Sequence, residues 1–381
     1  MRVLHLHSGN MYGGVETLLV TLAREAAAAP GMSHDIALCF PGRLSGELEA
    51  VGRPAFGLPP VRLSRPHSLI KARLALRRLL CEQAFDAVIC HQPWACVAFG
   101  PAVRAAGFPL VLWVHQPVEG GALLDRLARR TRPDLAICNS RYTESRVRGW
   151  LSSVDTAVVY GPVAPPVRAT VAGDRVHYRR LLATPDGDVV MMTACRMEAW
   201  KGHRVLLAAL ERLRATPGWT CWIVGGSQND EELGYERELR HAARVFGLEA
   251  RIRFTGQRSD VAALLAAADV YCQANTAPEA FGVSFVEALY AGLPIVTSAM
   301  GGALEIVDPD CGFLLPPADA EALSDALRLL IADDTLRARM SSAARCRPSA
   351  FCDVRIQLRG LQQALIASAS ASELPATALA G

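Results

Sequence analysis

The sequence predicts an α/β protein built from two doubly wound, Rossmann-like domains. Three observations carry that prediction. Short apolar runs alternate with longer amphipathic stretches along most of the chain, the pattern of parallel sheets made from βαβ units. The alternation occurs twice, on either side of a proline-rich break. A chain of 381 residues also exceeds what one ordinary core accommodates.

In the first half the strand candidates are RVLHLH, DIALCF, DAVICH, LVLWVH and DLAICN. Between them lie stretches such as VETLLVTLAREAAAA, whose apolar residues recur three and four apart and predict a helix. The segment YGPVAPPVRAT has no periodicity and reads as a linker. A second series follows in VVMMTA, TCWIVG, RIRFTG, DVYCQA and PIVTSA, each run again beside a helical pattern. The stretch FCDVRIQLRGLQQALI predicts a closing helix, and ASELPATALAG a frayed tail. The expected domains are 1–165 and 166–348, with the closing segment at 349–381. In such sheets ligands bind beyond the carboxyl ends of the strands.

Composition narrows the class. A hydrophobic content of 51% with 20% charge excludes a largely disordered chain. No apolar run approaches the roughly 18 residues a membrane span needs. The N-terminus, MRVLHLHSG, reads as a strand and glycine loop rather than a signal peptide, so a cytoplasmic enzyme is expected. The 11 cysteines include no CxxC pair, and those in apolar strands (Cys39, Cys90, Cys138, Cys195, Cys221) predict buried thiols, not a metal site. Residues Met1 to Pro165 carry 18 Arg and Lys against 12 Asp and Glu, a balance of +6. The remainder carries 22 against 25, or −3. The excess lies in RLSRPHSLIKARLALRRLL and DRLARRTRP, both predicted helical and amphipathic. They form either a solvated arginine face or a peripheral contact with the inner face of a membrane. No nucleic-acid partner is expected.

Three loops carry the chemistry. In SGNMYGGVE, after the first strand, Gly9, Gly13 and Gly14 would let backbone N–H groups approach an anion, although a tight turn also wants glycine. The spacing is not GxGxxG, which disfavours a nicotinamide enzyme. In TACRMEAWKGH, Arg196 and Lys201 stand at the end of a strand, as a diphosphate requires: one planar fork and one point charge. The chain has only two lysines, Lys71 and Lys201, so a lysine at this loop stands out against an arginine-rich background. In APEAFGVSFVEALYAGLPIV, Glu279 precedes a helix whose first free N–H groups belong near Gly282, Val283 and Ser284. That N-terminus is an anion site. Glu287, further along the helix, would repel a phosphate and should face neutral ribose hydroxyls.

Together these segments resemble a family-4-type retaining glycosyltransferase with the GT-B fold. The resemblance rests on GGVE (Gly13 to Glu16), WVH (Trp113 to His115), CRMEAWKG, the paired glutamates Glu279 and Glu287, MGGALEIV and DCGFLLPPADAEALSDAL. It implies two domains facing each other across a cleft, with the last helix crossing back to the first. It also implies a nucleoside-diphosphate-sugar donor, uridine before guanosine, and an acceptor hydroxyl on a lipid, saccharide or natural product. No cofactor or metal is implied. Arg196 and Lys201 would hold the diphosphate, with Phe281, Gly282 and Val283 giving backbone contacts. Glu279 would bind sugar hydroxyls, Glu287 the ribose, and Gly13 with Gly14 the diphosphate from the first domain.

Two departures stand out: Cys195 replaces the usual glycine before the arginine, and QANTAPEAFG lacks the usual serine-rich approach. The tripeptide HQP occurs twice, at His91 and at His115. His115 matches the family histidine near the reacting carbon, whereas His91 reads as a strand-end histidine bonded to backbone or bordering the acceptor. Rival readings within the fold are a nucleotide-sugar epimerase and a non-catalytic nucleotide-sugar-binding protein.

Overall fold

The structure is a computed structural model that describes residues 1–165 and 172–373. Part of the expected linker (160–170) and the tail from residue 374 lie outside the described residues. The chain forms two compact units, Met1–Ala164 with Cys352–Gly381, and Pro165–Phe351.

The first unit holds a seven-stranded parallel sheet of β1 (Arg2–His7), β2 (Ser33–Leu38), β3 (Phe56–Gly57), β4 (Ala87–His91), β5 (Leu110–Val114), β6 (Leu135–Cys138) and β7 (Asp155–Val158). Its order is β3-β2-β1-β4-β5-β6-β7. The second unit has β8 (Val189–Ala194), β9 (Trp219–Val224), β10 (Ile252–Gly256), β11 (Val270–Gln273), β12 (Ile295–Ser298) and β13 (Gly312–Leu315). Its order is β10-β9-β8-β11-β12-β13. Both sheets are therefore doubly wound, with their direction of growth reversing beside β1 and beside β8. That switch point is where such sheets leave a crevice for ligands.

Most strand positions are apolar and buried because helices cover both faces. On β1, Leu4 and Leu6 enter one core, while Val3 enters the other beside Ile36, Ile89, Val111 and Trp113. Helix Gly14–Arg24 brings Leu18, Leu19 and Leu22 onto that second core. The helix Val354–Glu373 lays Val354, Leu358, Leu361 and Leu365 on the same face, at the three-and-four spacing of a helical stripe.

Several boundaries differ from the sequence reading. The closing helix is present but starts later than the stretch suggests: Asp334–Phe351 ends, and Asp353 opens Val354–Glu373 by accepting hydrogen bonds from Arg355 N (2.9 Å) and Ile356 N (3.1 Å). The basic stretch RLSRPHSLIKARLALRRLL becomes helical only at Pro66, whose ring suits the first helical position. Strands β3, β7 and β13 were not legible, since β3 has two residues and the others are four-residue edge strands. The cysteines are all free, with Cys39, Cys90, Cys138 and Cys221 buried. Among the described residues, no helix is long and apolar enough to cross a membrane.

Candidate active site

In the second unit the predicted residues gather around the carboxyl ends of β8 and β11, the two strands flanking the switch point. After β8 the chain makes a single 3-10 turn, Ala199–Lys201, and enters helix His203–Arg212 through Gly202. Gly202 has φ +76°, and an added Cβ would overlap the Ala274 carbonyl, so only glycine allows this close approach. The approach brings Lys201 to the loop after β11. Its Nζ donates to Glu279 Oε2 at 2.5 Å and lies 3.8 Å from the Trp200 ring centroid.

Glu279 is in turn fixed from behind. Its carbonyl accepts from Gly302 N at 2.7 Å, and Gly301 pairs with it in a short parallel bridge. The MGGALEIV segment thus serves as the backing of the glutamate loop. Beyond it, Phe281 is buried and Gly282, at φ +107°, opens helix Val283–Tyr290. A Cβ on Gly282 would strike the Phe285 ring. Glu287 follows one turn later, where burial pushes its carboxyl up to about 7.

Arg196 is held by two carboxylates. Its Nη2 donates to Glu232, and its Nη1 lies 3.1 Å from Glu198 Oε1. Glu232 is buried in the first turn of helix Asp230–Val245 and also accepts from Gln228 N at 2.7 Å. The guanidinium is therefore oriented, yet its buried Nε has no partner among the described residues. Glu232 was missed in sequence; its signal is the cap Asn229 three residues before it, which accepts from Glu232 N at 2.9 Å.

At Cys195, where the resemblance expects glycine, the backbone packs closely on a neighbouring loop. Gly225, at φ +136°, has no side chain to collide with the Cys195 carbonyl. The thiol itself faces Thr193 Oγ1 (3.6 Å) and His203 Nε2 (3.4 Å), and burial raises it to about 11.

In the first unit the glycine loop follows β1. Gly9, at φ +85°, lies against the Phe40 carbonyl, while Gly13 is extended and caps helix Gly14–Arg24. The N–H of Gly13 donates to Glu16 Oε2 at 2.8 Å, so a donor the sequence assigned to an anion is held here by the protein's own carboxylate. Glu16 Oε1 meets His7 Nε2 at 2.6 Å, both side chains being buried. The glutamate of GGVE is thus the tie between loop, helix and strand.

The two HQP histidines are joined. His91 Nδ1 and His115 Nε2 are 2.8 Å apart, and their rings are nearly parallel at 8°. His91 is buried, so the expectation that it bonds backbone or borders an acceptor is corrected: a strand-end position on β4 points it along the sheet face rather than out of it. Its other nitrogen, Nε2, meets His5 Nδ1 at 2.9 Å, and His5 Nε2 meets His34 Nδ1 at 2.9 Å. Gln92, next to His91, has φ +75° and turns strand into helix Gln92–Ala105 within one residue. His115 lies just past β5, partly exposed, and is lowered to about 3 by burial and then by His7.

Two doubly wound units of this topology, with a cationic strand end paired to the glutamate loop after β11, are those of a GT-B glycosyltransferase. Residues 12–165 match the model of Glycosyltransferase Family 4, and residues 174–347 that of Glycosyl transferases group 1. The chain is 30% identical over 274 residues to the phosphatidyl-myo-inositol mannosyltransferase of Mycobacterium leprae, covering 70% of each. It is 27% identical to the lipopolysaccharide core biosynthesis glycosyltransferase LpsE of Rhizobium meliloti, over 90% of this chain and 92% of that one. Anabaena Alr3699/HepE, solved in complex with UDP-glucose, superposes with a TM-score of 0.84 at 26% identity, over 97% of this chain and 100% of the other. The chain belongs to the family-4-type glycosyltransferases.

Proposed function

We propose that the protein is a retaining glycosyltransferase that moves a hexosyl group from a nucleoside-diphosphate sugar, UDP-linked, to an acceptor hydroxyl without a metal. The observation that carries this reading is the pair of cations at the end of β8, oriented by Glu232 and Glu279, with the buried Arg196 Nε still lacking a partner among the described residues. A diphosphate oxygen supplies that partner. The Anabaena relative, solved with UDP-glucose, supports uridine.

In this reading Arg196 and Lys201 take the diphosphate, with Gly14 of the first-unit loop also assigned to it, the Gly13 N–H being held by Glu16, and with Phe281, Gly282 and Val283 offering backbone contacts. Glu279 and His115 take sugar oxygens, and Glu287 the ribose. The anomeric C1–O bond to the diphosphate breaks while a C1–O bond to the acceptor forms on the same face. The acceptor proton passes to the leaving diphosphate oxygen, so no separate base is needed. Arg196, Lys201 and the helix start stabilise the charge that develops there.

Lipid is the acceptor class we favour. The helix Pro66–Glu82 exposes Ile70 (57%) and Leu74 (53%) beside Lys71, Arg77 and Arg78, a face suited to the anionic inner surface of a membrane. The deciding experiment is calorimetry with UDP, followed by NMR of the product's anomeric configuration in chelator. Binding and a retained configuration support the proposal; absence of UDP binding, or inversion, rejects it.

A further inference from the structure

His34, His5, His91 and His115 form a continuous row of hydrogen-bonded imidazoles on one face of the first sheet. The register explains why. His34 pairs with Val3, and His5 is two residues on; His5 pairs with Ile89, and His91 is two residues on; His91 pairs with Trp113, and His115 is two residues on. Two residues is one same-face step along a strand. The row therefore climbs one step for each strand it crosses, from β2 to the carboxyl end of β5. The three contacts are 2.9, 2.9 and 2.8 Å.

Such a row has few proton arrangements. A neutral imidazole has one N–H and one bare nitrogen. Each of the three contacts needs one proton, so four neutral rings must all donate in the same direction. Either every ring donates towards His115, leaving His34 Nε2 bare and His115 Nδ1 protonated, or every ring donates towards His34 and both ends are reversed. The inner end decides between them. His34 Nε2 is buried without a partner among the described residues. An orphaned buried N–H is a rarer and costlier defect than an acceptor with an unused lone pair. The bare nitrogen thus belongs at His34 and the free N–H at His115.

We propose that His34, His5 and His91 are positioning residues that hold His115 in the tautomer with its proton on Nδ1, so that it meets a sugar oxygen as a hydrogen-bond donor. The sugar contact rests on the glycosyltransferase reading above; the tautomer does not. Ring dipoles aligned along a low-dielectric row strengthen the outermost donor, as in any cooperative hydrogen-bond chain. The row stays neutral near pH 7, because burial lowers His5 and His91 well below the ordinary histidine value and His34 to about 4. The charged groups beside it are engaged elsewhere: Asp35 with Arg2 at 2.7 Å, and Glu16 with His7 at 2.6 Å. Trp113 stacks on both His91 (5.5 Å) and His115 (5.4 Å), keeping their rings in line.

The test reverses the row from its far end. In His34→Asp a carboxylate oxygen replaces the Nδ1 that donates to His5, and an ionised carboxylate can only accept. His5, His91 and His115 must then all turn round, and His115 becomes Nε2–H. Long-range proton–nitrogen NMR of ring-labelled histidine reads this directly, at alkaline pH so that the carboxylate draws no extra proton into the row. Wild type should show His115 as Nδ1–H, and His34→Asp should show it as Nε2–H. Adding His91→Leu should abolish that response to His34→Asp. With UDP-glucose as probe, donor hydrolysis by His34→Asp should lose about tenfold in kcat, the worth of one hydrogen bond, with KM little changed.

An Nε2–H His115 in wild type overturns the proposal, and so does a tautomer that ignores His34→Asp while His91 is present. Should that variant fail to fold, the wild-type spectrum still decides. A wild-type protein that neither binds nor turns over UDP-glucose would count against the glycosyltransferase reading and leave the tautomer result standing.

Discussion

Glu287 links protonation to both stability and binding. Burial raises its carboxyl from 4.5 to about 7, so between those values the folded protein holds a proton that the unfolded chain releases. The stabilising contribution is complete below the lower value and is lost as pH rises through the higher one. Glu287→Gln cannot titrate, so its melting temperature should gain on wild type as pH climbs across this window. Scanning calorimetry at several pH values tests this, and parallel profiles would contradict it. The ribose role makes a second demand: Glu287→Gln should weaken UDP more than inorganic pyrophosphate, and equal losses would remove ribose from the assignment. Lys201→Ala should weaken UDP about ten- to a hundredfold, the roughly 1.5–3 kcal/mol of a charge-assisted contact. It also leaves Glu279 without its 2.5 Å partner. Unchanged UDP affinity in a folded Lys201→Ala protein would argue against a diphosphate role.

The loop after β8 depends on a close backbone approach that only glycine allows. Gly202→Ala would force a Cβ into the Ala274 carbonyl at φ +76° and part the lysine loop from the glutamate loop. Gly360→Ala, within helix Val354–Glu373 and with no atom near the added Cβ, should instead stabilise by about 0.5–1 kcal/mol. Opposite signs in thermal denaturation are expected; two stabilised proteins would mean the β8 loop is not constrained as described. The same elements show what could be read beforehand. Arg196, Lys201, Glu279 and Glu287 stand out in the sequence because charges next to strand ends and helix starts are conspicuous in an apolar background. Glu232, Gly225 and the inner histidines do not. Each acts through a partner remote in sequence, as Glu232 does on Arg196, thirty-six positions away. His5 and His34 look like ordinary members of alternating strands until the register of β1, β2 and β4 is known.

At the scale of the chain, the first unit is completed by its last segment. Val354, Leu358, Leu361 and Leu365 are buried on the sheet face that also carries Leu18, Leu19 and Leu22. A chain ending at Phe351 should lose the first unit's unfolding transition, since each buried aliphatic side chain stabilises by about 1.5–3 kcal/mol. Limited proteolysis should then digest the first unit while Pro165–Phe351 persists; an intact first unit would show that the helix is dispensable. The imidazole row on this same face is sensitive to where it is cut rather than to how much is removed. Shortening it from the buried end with His34→Leu exchanges one bare nitrogen, His34 Nε2, for another, His5 Nε2. Excising His5 alone strands both nitrogens of His34 and the Nε2 of His91. Each added orphan costs about 1–3 kcal/mol, so removing His34 as well should restore stability that His5→Leu loses. The double variant melting above the single would mark these positions as a unit that tolerates shortening from its end but not a gap.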